Sequence, residues 1–408
     1  MSESSSSLYI HVPFCRKKCA YCDFFSLGSN NCADFYTLRE HFVSSLMKEV
    51  YFYAHVNGIS KWKTVYVGGG TPSQLTLPQV SALFKGIFTV CPPAEDAEVT
   101  MEVNPEDVTE ELIDVLKNAG VNRISMGIQA FDQKALQAVS RTASARMALQ
   151  ALQRLRRHWK GRLSCDMIAG LPCHTYASFE EGIHTLCSYE NVDHISLYTL
   201  TIEEGTPLAL SIDSGATAWS QEKADRMWIR GRNLLEKYGY MQYEVSNFSK
   251  AGCRSRHNTV YWKLQDYIGC GPGASGTIYG KMAADKSLGD GIRWTNTTDV
   301  AAYNHFWQRQ DEKSPACLTL ADLPCSIEVL DADTQEFEYL MMGFRMLDGV
   351  SEEDYAARFG KSLAKRLGAE GGIFYDWKKR RLARQERGRF SLTEKGLMLL
   401  NPFLEALV

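Results

Sequence analysis

The sequence predicts an α/β chain, a partial barrel of six βα units followed by a small helical C-terminal domain. Three observations carry this reading: six short β-branched runs separated by helix-forming segments, polar or glycine-rich ends on those runs, and a change of pattern near residue 331. With 408 residues, 45% of them apolar, the chain can bury a large core and has room for two or three domains. A formal charge of −3, from 45 Lys and Arg against 48 Asp and Glu, gives no overall field to draw in nucleic acid or an anionic membrane. The opening "MSESSSSLYI" lacks the basic and apolar regions of a signal peptide, and no later run approaches the roughly 20 apolar residues of a membrane span. The cytoplasm is therefore the expected compartment, and the 12 cysteines are expected to be reduced.

The six runs are "LYIHV" (8–12), "TVYVG" (64–68), "EVTMEV" (98–103), "RISMGI" (123–128), "LSCDMI" (163–168) and "HISLYTL" (194–200). Segments 34–56, 78–90, 109–119, 143–157 and 178–189 have helix-forming composition, as right-handed crossovers between parallel strands require. In such folds the chemistry gathers where the strands end. Strand one runs into a cysteine-rich loop, strand two into "GGGTPS" (68–73), and strand three into Glu102 and Asn104. Strand four ends at Gln129, strand five carries Asp166 before "GLP", and strand six ends near Tyr198. One polar end can be a simple turn cap; six together mark a site. A helix is expected over 219–238 and an extended segment over 239–248. The block 256–276, rich in aromatics and glycine, reads as part of a site. Helices over 333–347, 351–359 and 361–369, then "RFSLTEKGLMLLN", form the C-terminal unit. The expected division is a flexible tail 1–7, a barrel 8–240, an extension 241–330 and a C-terminal domain 331–408.

"HVPFCRKKCAYCDFF" (11–25) places Cys15, Cys19 and Cys22 within eight positions. Structural zinc would need a fourth donor, for which His11 or Cys32 would have to fold back. A [4Fe-4S] cluster on three cysteines leaves one iron open to a further ligand. Thiols without any ligand are the third reading. The spacing favours the cluster, because electron-transfer clusters usually take a fourth cysteine.

This loop, directly after the first strand and with Tyr21 before its last cysteine, is similar to the motif of radical S-adenosylmethionine (SAM) enzymes. In that family the open iron binds SAM, and the reduced cluster cleaves it to a 5′-deoxyadenosyl radical. The resemblance implies that Cys15, Cys19 and Cys22 hold the cluster and that "GGGTP" (68–72), with Gly69, Gly70 and Thr71, meets the methionyl amine of SAM. It further implies that Glu102 in "EVNP", Gln129 in "SMGIQ", Arg141 in "SRT" and Asp166 in "CDMIAGLP" line the SAM pocket, with Tyr9 beside the cluster. The C-terminal region looks like a small winged-helix-type domain.

Within the superfamily the chain resembles the HemW group of haem chaperones, related to the oxygen-independent coproporphyrinogen III oxidase HemN. "HNTVYW" (257–262) matches that group's HNxxYW signature, which implies haem as a ligand, with His257 on the iron and Tyr261 and Trp262 against the macrocycle. The implied partners are client haemoproteins such as respiratory enzymes and an electron donor for the cluster, with peripheral membrane contact and a homodimer also in view. Two rivals stand beside this reading, coproporphyrinogen oxidation and radical-driven haem breakdown. Against the oxidase, Cys22 is followed by Asp23 and Phe24 where the oxidase has a further cysteine, and only 14 residues precede Cys15. The chain also departs from its relatives' pattern at Ala143, at Cys173 and His174 in "GLPCHT", and at Cys253, which lies four residues ahead of His257. Two further signals are set aside. "GCGPGA" (269–274) mimics a dinucleotide fingerprint, but "KLQDYI" before it makes a poor strand. The stretch 358–389 carries eleven Lys and Arg against three Asp and Glu, without the aromatic interleaving of a nucleic-acid surface.

Overall fold

Five of the six predicted strands alternate polar and apolar residues, and this alternation builds the molecule. A computed structural model describes residues 5–281, 288–310, 318–368 and 372–407. It forms β1 (Ser5–Val12), β2 (Lys61–Gly69), β3 (Pro93–Val103), β4 (Arg123–Gln129), β5 (Arg162–Ala169) and β6 (His194–Thr199), paired in parallel in that order. Val65, Val67, Val99, Met101, Ile124, Met126, Leu163, Cys165, Ile195 and Leu197 are buried on the face that the helices cover. The alternate residues, among them Thr64, Glu98, Thr100, Arg123, Ser125, Ser164, His194 and Ser196, are buried on the opposite, inward face. A parallel strand covered on both faces usually reads as a continuous apolar run, so the polar inner face is a departure that serves the site.

The helices between strands are α1 (Phe35–Val56), α2 (Leu77–Val90), α3 (Glu110–Asn118), α4 (Gln133–Ala138), α5 (Ala145–His158) and α6 (Tyr176–Cys187). Their starts follow local chemistry. Thr76 and Gln79 form a reciprocal capping box ahead of α2, and Thr109, Asp132 and Ser144 cap α3, α4 and α5. Beyond β6 come α7 (Pro207–Asp213), α8 (Gln221–Lys237), the short strands β7 (Met241–Gln242) and β8 (Asn247–Ser249), and α9 (Arg256–Trp262).

The structure corrects the expectations at both ends of the barrel. Ser5–Ser7, expected in a flexible tail, pair with β2 as the start of β1, because neighbouring strands offer ladder partners there; residues 1–4 lie outside the described residues. The segment set aside as a poor strand, 263–268, ends in β9 (Tyr267–Cys270), which pairs in parallel with β1 on its outer side. Gly269 within it and Gly271 just after it are needed for close approach: Gly271 has φ +99°, and a Cβ there would lie 2.3 Å from the His11 carbonyl oxygen. Three antiparallel strands then extend the sheet, β10 (Ser275–Ile278), β11 (Gly291–Asn296) and β12 (Cys325–Leu330), giving the order β12-β11-β10-β9-β1-β2-β3-β4-β5-β6-β8-β7. Helix α10 (Val300–Gln308) packs on α1.

The C-terminal unit has its own core around Phe344, Tyr355, Phe374, Phe390 and Phe403. It holds α11 (Ala332–Gly343), α12 (Glu352–Phe359) and a three-stranded sheet, β13 (Val350–Ser351), β14 (Ala383–Glu386) and β15 (Arg389–Leu392), whose β14–β15 hairpin is the wing of the expected winged-helix type.

One buried carboxylate ties the added strands to the barrel. Glu49 of α1 accepts from the Gly271 N–H at 2.8 Å, from Asn296 Nδ2 at 2.6 Å and from the Tyr303 hydroxyl. Burial pushes its pKa up from 4.5 to about 7. Because the folded value lies above the ordinary one, its stabilising effect is complete below pH 4.5 and falls as pH rises through 7. Glu49→Ala is expected to cost about 3 kcal/mol by stranding buried donors, read as a lowered urea midpoint. Glu49→Gln is expected to remove part of the wild-type loss of stability between pH 5 and 8.

Candidate functional site

The cysteine loop leaves β1 and is clamped at two points. Phe14–Cys15 pair in parallel with Leu27–Gly28, and further on the Ala20 N–H donates to the Val139 carbonyl at 3.0 Å while the Ala20 carbonyl accepts from the Leu208 N–H at 2.9 Å. Cys15 and Cys19 are buried and Cys22 is half-buried. Burial pushes the Cys15 and Cys22 thiols up, and the nearby Cys19 sulfur adds to the rise of both. Cys15 Sγ lies 3.4 Å from Thr71 Oγ1, and Arg141 Nη1 donates to Cys19 Sγ at 3.6 Å. His11 is spent elsewhere. Its Nε2 donates to the Phe25 carbonyl at 2.9 Å, so Nδ1 accepts from the Tyr9 hydroxyl at 3.0 Å, and no lone pair remains for a zinc ion. Among the described residues no three His, Cys, Asp or Glu side chains gather to hold a single ion.

The glycine loop lies directly against this one. The Gly70 N–H donates to the Val12 carbonyl at 2.8 Å, and a Cβ at Gly70 would sit 3.0 Å from the carbonyl oxygens of Val12 and Phe14. Gly69, at φ +108°, has no room for a side chain because the His11 ring fills that space. Thr71 then joins the two loops to β3, since its Oγ1 also accepts from Asn104 Nδ2 at 3.3 Å. Arg141 completes the rim. Its Nη2 donates to Asn104 Oδ1 and to the Gly127 carbonyl, each at 2.7 Å, and its Nε is buried with no acceptor. At Gly127 a Cβ would come within 3.1 Å of that guanidinium. Gln129 ends β4 at φ +68°, where the register with β5 shifts. The sequence-predicted pocket residues thus meet at one end of the barrel.

Below this rim the inward polar side chains surround a chamber of about 50 Å³. Glu102 accepts from the Tyr66 hydroxyl at 2.6 Å. Burial lifts its pKa to about 7, with Asp166 adding to the rise, and lifts Asp166 to about 6. Thr100 Oγ1 and Arg123 Nη1 are buried without partners in the chain, so the chamber has the polarity and room for water. Tyr21 is tucked against the small cluster of Ala130, Leu136 and Leu171. His174 turns inward against the Phe179 ring and Cys173 is exposed, so of the two changed residues in "GLPCHT" only the cysteine faces solvent.

The HNxxYW segment closes the other end of the barrel. It is α9, whose His257 N–H donates to Glu98 Oε1 at 2.9 Å. The His257 ring is 1% exposed and stacks on Tyr66, with centroids 5.0 Å apart. Its Nδ1 is hydrogen-bonded to Thr64 Oγ1 and its Nε2 to the Tyr261 hydroxyl, both at 2.7 Å, and burial lowers its pKa to about 3. The expectation of an open axial ligand is therefore corrected: as folded, His257 is a neutral ring with both nitrogens engaged. The supporting residues Thr64, Tyr66, Glu98 and Arg123 were missed. Strict alternation within runs two to four was the signal that could have found them.

Residues 9–186 match the model of the radical SAM superfamily and residues 330–399 that of the HemN C-terminal domain. "Heme chaperone HemW" of Bacillus subtilis is 30% identical over 406 residues, covering 97% of each chain. Its namesake in Escherichia coli is 33% identical over 359 residues, covering 87% of this chain and 86% of the relative. A mitochondrial radical SAM domain-containing protein of Bos taurus is 37% identical over 275 residues, but the match spans only 60% of that protein's length. Among solved structures, the coproporphyrinogen III oxidase HemN of Escherichia coli superposes with a TM-score of 0.77 at 20% identity, covering 98% of this chain and 89% of that one, a likeness of fold. The chain belongs to the HemW family of the radical SAM superfamily.

Proposed function

We propose that this protein is a haem chaperone, which binds haem and passes it to client haemoproteins, and that its barrel carries a [4Fe-4S] cluster and SAM at the strand ends. Membership of the superfamily implies the cluster and SAM, and the residues fit both. Three thiols sit in a clamped loop beside an arginine, a glycine loop without side chains packs directly against it, and a buried guanidinium nitrogen has no acceptor. Cys15, Cys19 and Cys22 would hold three irons of the cluster. When bound, the pair supplies one-electron reductive chemistry.

The chain's own residues have separable tasks. Arg141 offsets thiolate charge at Cys19 and keeps its free Nε for a carboxylate. Asn104 and Thr71 fix the distance between the cysteine and glycine loops. Glu102 and Asp166 can accept from hydroxyl or ammonium groups when ionised. The observation that carries the haem reading is continuity: the HNxxYW helix is joined through His257 and Tyr66 to Glu102 of the SAM pocket. Oxidation of coproporphyrinogen has only the shared fold in its favour.

Glu102 and Asp166 are protonated below their raised pKa values of about 7 and 6. The affinity of the cluster-loaded protein for cationic SAM is thus expected to rise between pH 5.5 and 7.5, measured by anaerobic calorimetry, and to lie lower and flatter in Glu102→Gln.

An anaerobic haem titration followed by absorbance tests the chaperone reading. Saturable, near-stoichiometric binding is expected, and its absence would overturn the proposal. Because both nitrogens of His257 hold α9 in place, His257→Ala is expected to weaken binding while leaving the coordination bands of the bound iron unchanged. Loss of a histidine-ligated spectrum in that variant would show instead that α9 opens to present the ring.

A further inference from the structure

His257 and Trp262 point from different sides of α9. His257 faces the barrel interior, whereas Trp262 lines a cleft of about 1130 Å³ between α9 and the C-terminal unit. This is comparable with the largest small-molecule sites, which reach roughly 1,000 Å³. Tyr339 of α11 lines the same cleft, which gives it aromatic walls. On the other side stands the β14–β15 hairpin, with Arg384, Arg387 and Arg389 on its cleft-lining surface.

Two of these cations are held in place, and none of the three is neutralised. Arg384 donates to Ser391 Oγ at 3.2 Å, and Arg389 donates to the carbonyls of Asp348 at 2.8 Å and Gly349 at 3.0 Å. Arg387, on the hairpin turn, has no polar partner among the described residues. Deeper in the cleft Arg358 donates to the Leu264 carbonyl at 2.8 Å and lies over the rings of Tyr279 and Tyr339, with its Nε buried and unpartnered. The Trp262 indole N–H is likewise buried without an acceptor, and the Arg345 guanidinium lies 5.6 Å above that ring. Three carboxylates also line the cleft, Asp348, Asp354 and Glu386, yet none forms an ion pair with Arg358, Arg384, Arg387 or Arg389, and Asp348 is taken by Arg254. An aromatic wall, buried donors without acceptors and a row of unpaired guanidinium groups match a flat ligand with carboxylates along one edge.

Resting on the haem reading above, we infer that this cleft is where haem docks, its face against Trp262 and its two propionates toward Arg384 and Arg387, recognised as a planar dicarboxylate and not through its iron. Helix α9 thus carries the ligand on one side and the link to the SAM pocket on the other.

The test is a set of anaerobic titrations of the full-length, cluster-loaded protein with haem, metal-free protoporphyrin and haem dimethyl ester. They are run on the wild type, on Trp262→Leu and on the double variant Arg384→Gln/Arg387→Gln, with unchanged circular dichroism and SAM binding as evidence of folding. Metal-free protoporphyrin is expected to bind about as well as haem. The ester is expected to bind at least about tenfold more weakly, the loss of one charge-assisted contact. The arginine variant is expected to lose a similar factor for haem and little for the ester. Haem binding that is indifferent to the arginines and to esterification, while the wild type binds haem, would overturn the cleft and leave the chaperone reading standing. A wild type that binds neither porphyrin would overturn both.

Discussion

The arrangement depends on one buried ion pair, Arg123 with Glu98. Arg123 Nε donates to Glu98 Oε2 at 3.0 Å, with both side chains over 90% buried. Such a pair gains little by itself, because desolvation offsets most of the attraction, but removing one partner strands a charge at a cost of about 3–5 kcal/mol. Here the other hydrogen bonds of the pair go to a single segment. Glu98 accepts from the His257 N–H and from Ser255 Oγ, and Arg123 donates to the carbonyls of Cys253 and Arg254. The pair therefore fixes where α9 begins, and α9 determines how the barrel is closed and where Trp262 meets the C-terminal unit.

With α9 in place the interior is polar yet closed off from bulk solvent, and the consequences run along the strands. Carboxylates inside such a space resist ionisation, which explains why Glu102 and Asp166 have raised pKa values close to neutrality. His257 and His194 respond the opposite way and stay neutral, each with both nitrogens hydrogen-bonded. Close to the rim, positive charge is concentrated in Arg141, placed among the thiols, whereas the C-terminal cleft holds several cations without paired anions. The two ends of the molecule thus differ in their charge chemistry and meet at α9.

Much of this was legible in the sequence where local chemistry decides the outcome. The six parallel strands, the cysteine loop, the glycine loop and the polar strand ends of Glu102, Gln129 and Asp166 lie where spacing and turn residues placed them. Three things were hidden, each for a physical reason. Tyr267–Cys270 reads as a weak strand because Gly269, and Gly271 just beyond it, serve close approach to Ser275 and His11 and not strand propensity. The role of His257 depends on Thr64, 193 residues away, and on Tyr66, contacts that no local pattern encodes. The basic stretch 358–389 looks like a solvated surface until the hairpin fold turns Arg384, Arg387 and Arg389 toward Trp262.

The central claim is that the SAM pocket and the haem-binding side of α9 form one connected structure. Measuring haem affinity of the cluster-loaded protein with and without saturating SAM tests this directly, because coupling between two sites must be reciprocal. The account predicts that SAM shifts haem affinity severalfold and that Tyr66→Phe, which removes the hydroxyl bound to Glu102, abolishes the shift while both ligands still bind. Haem affinity that is the same with and without SAM in the wild type would contradict it.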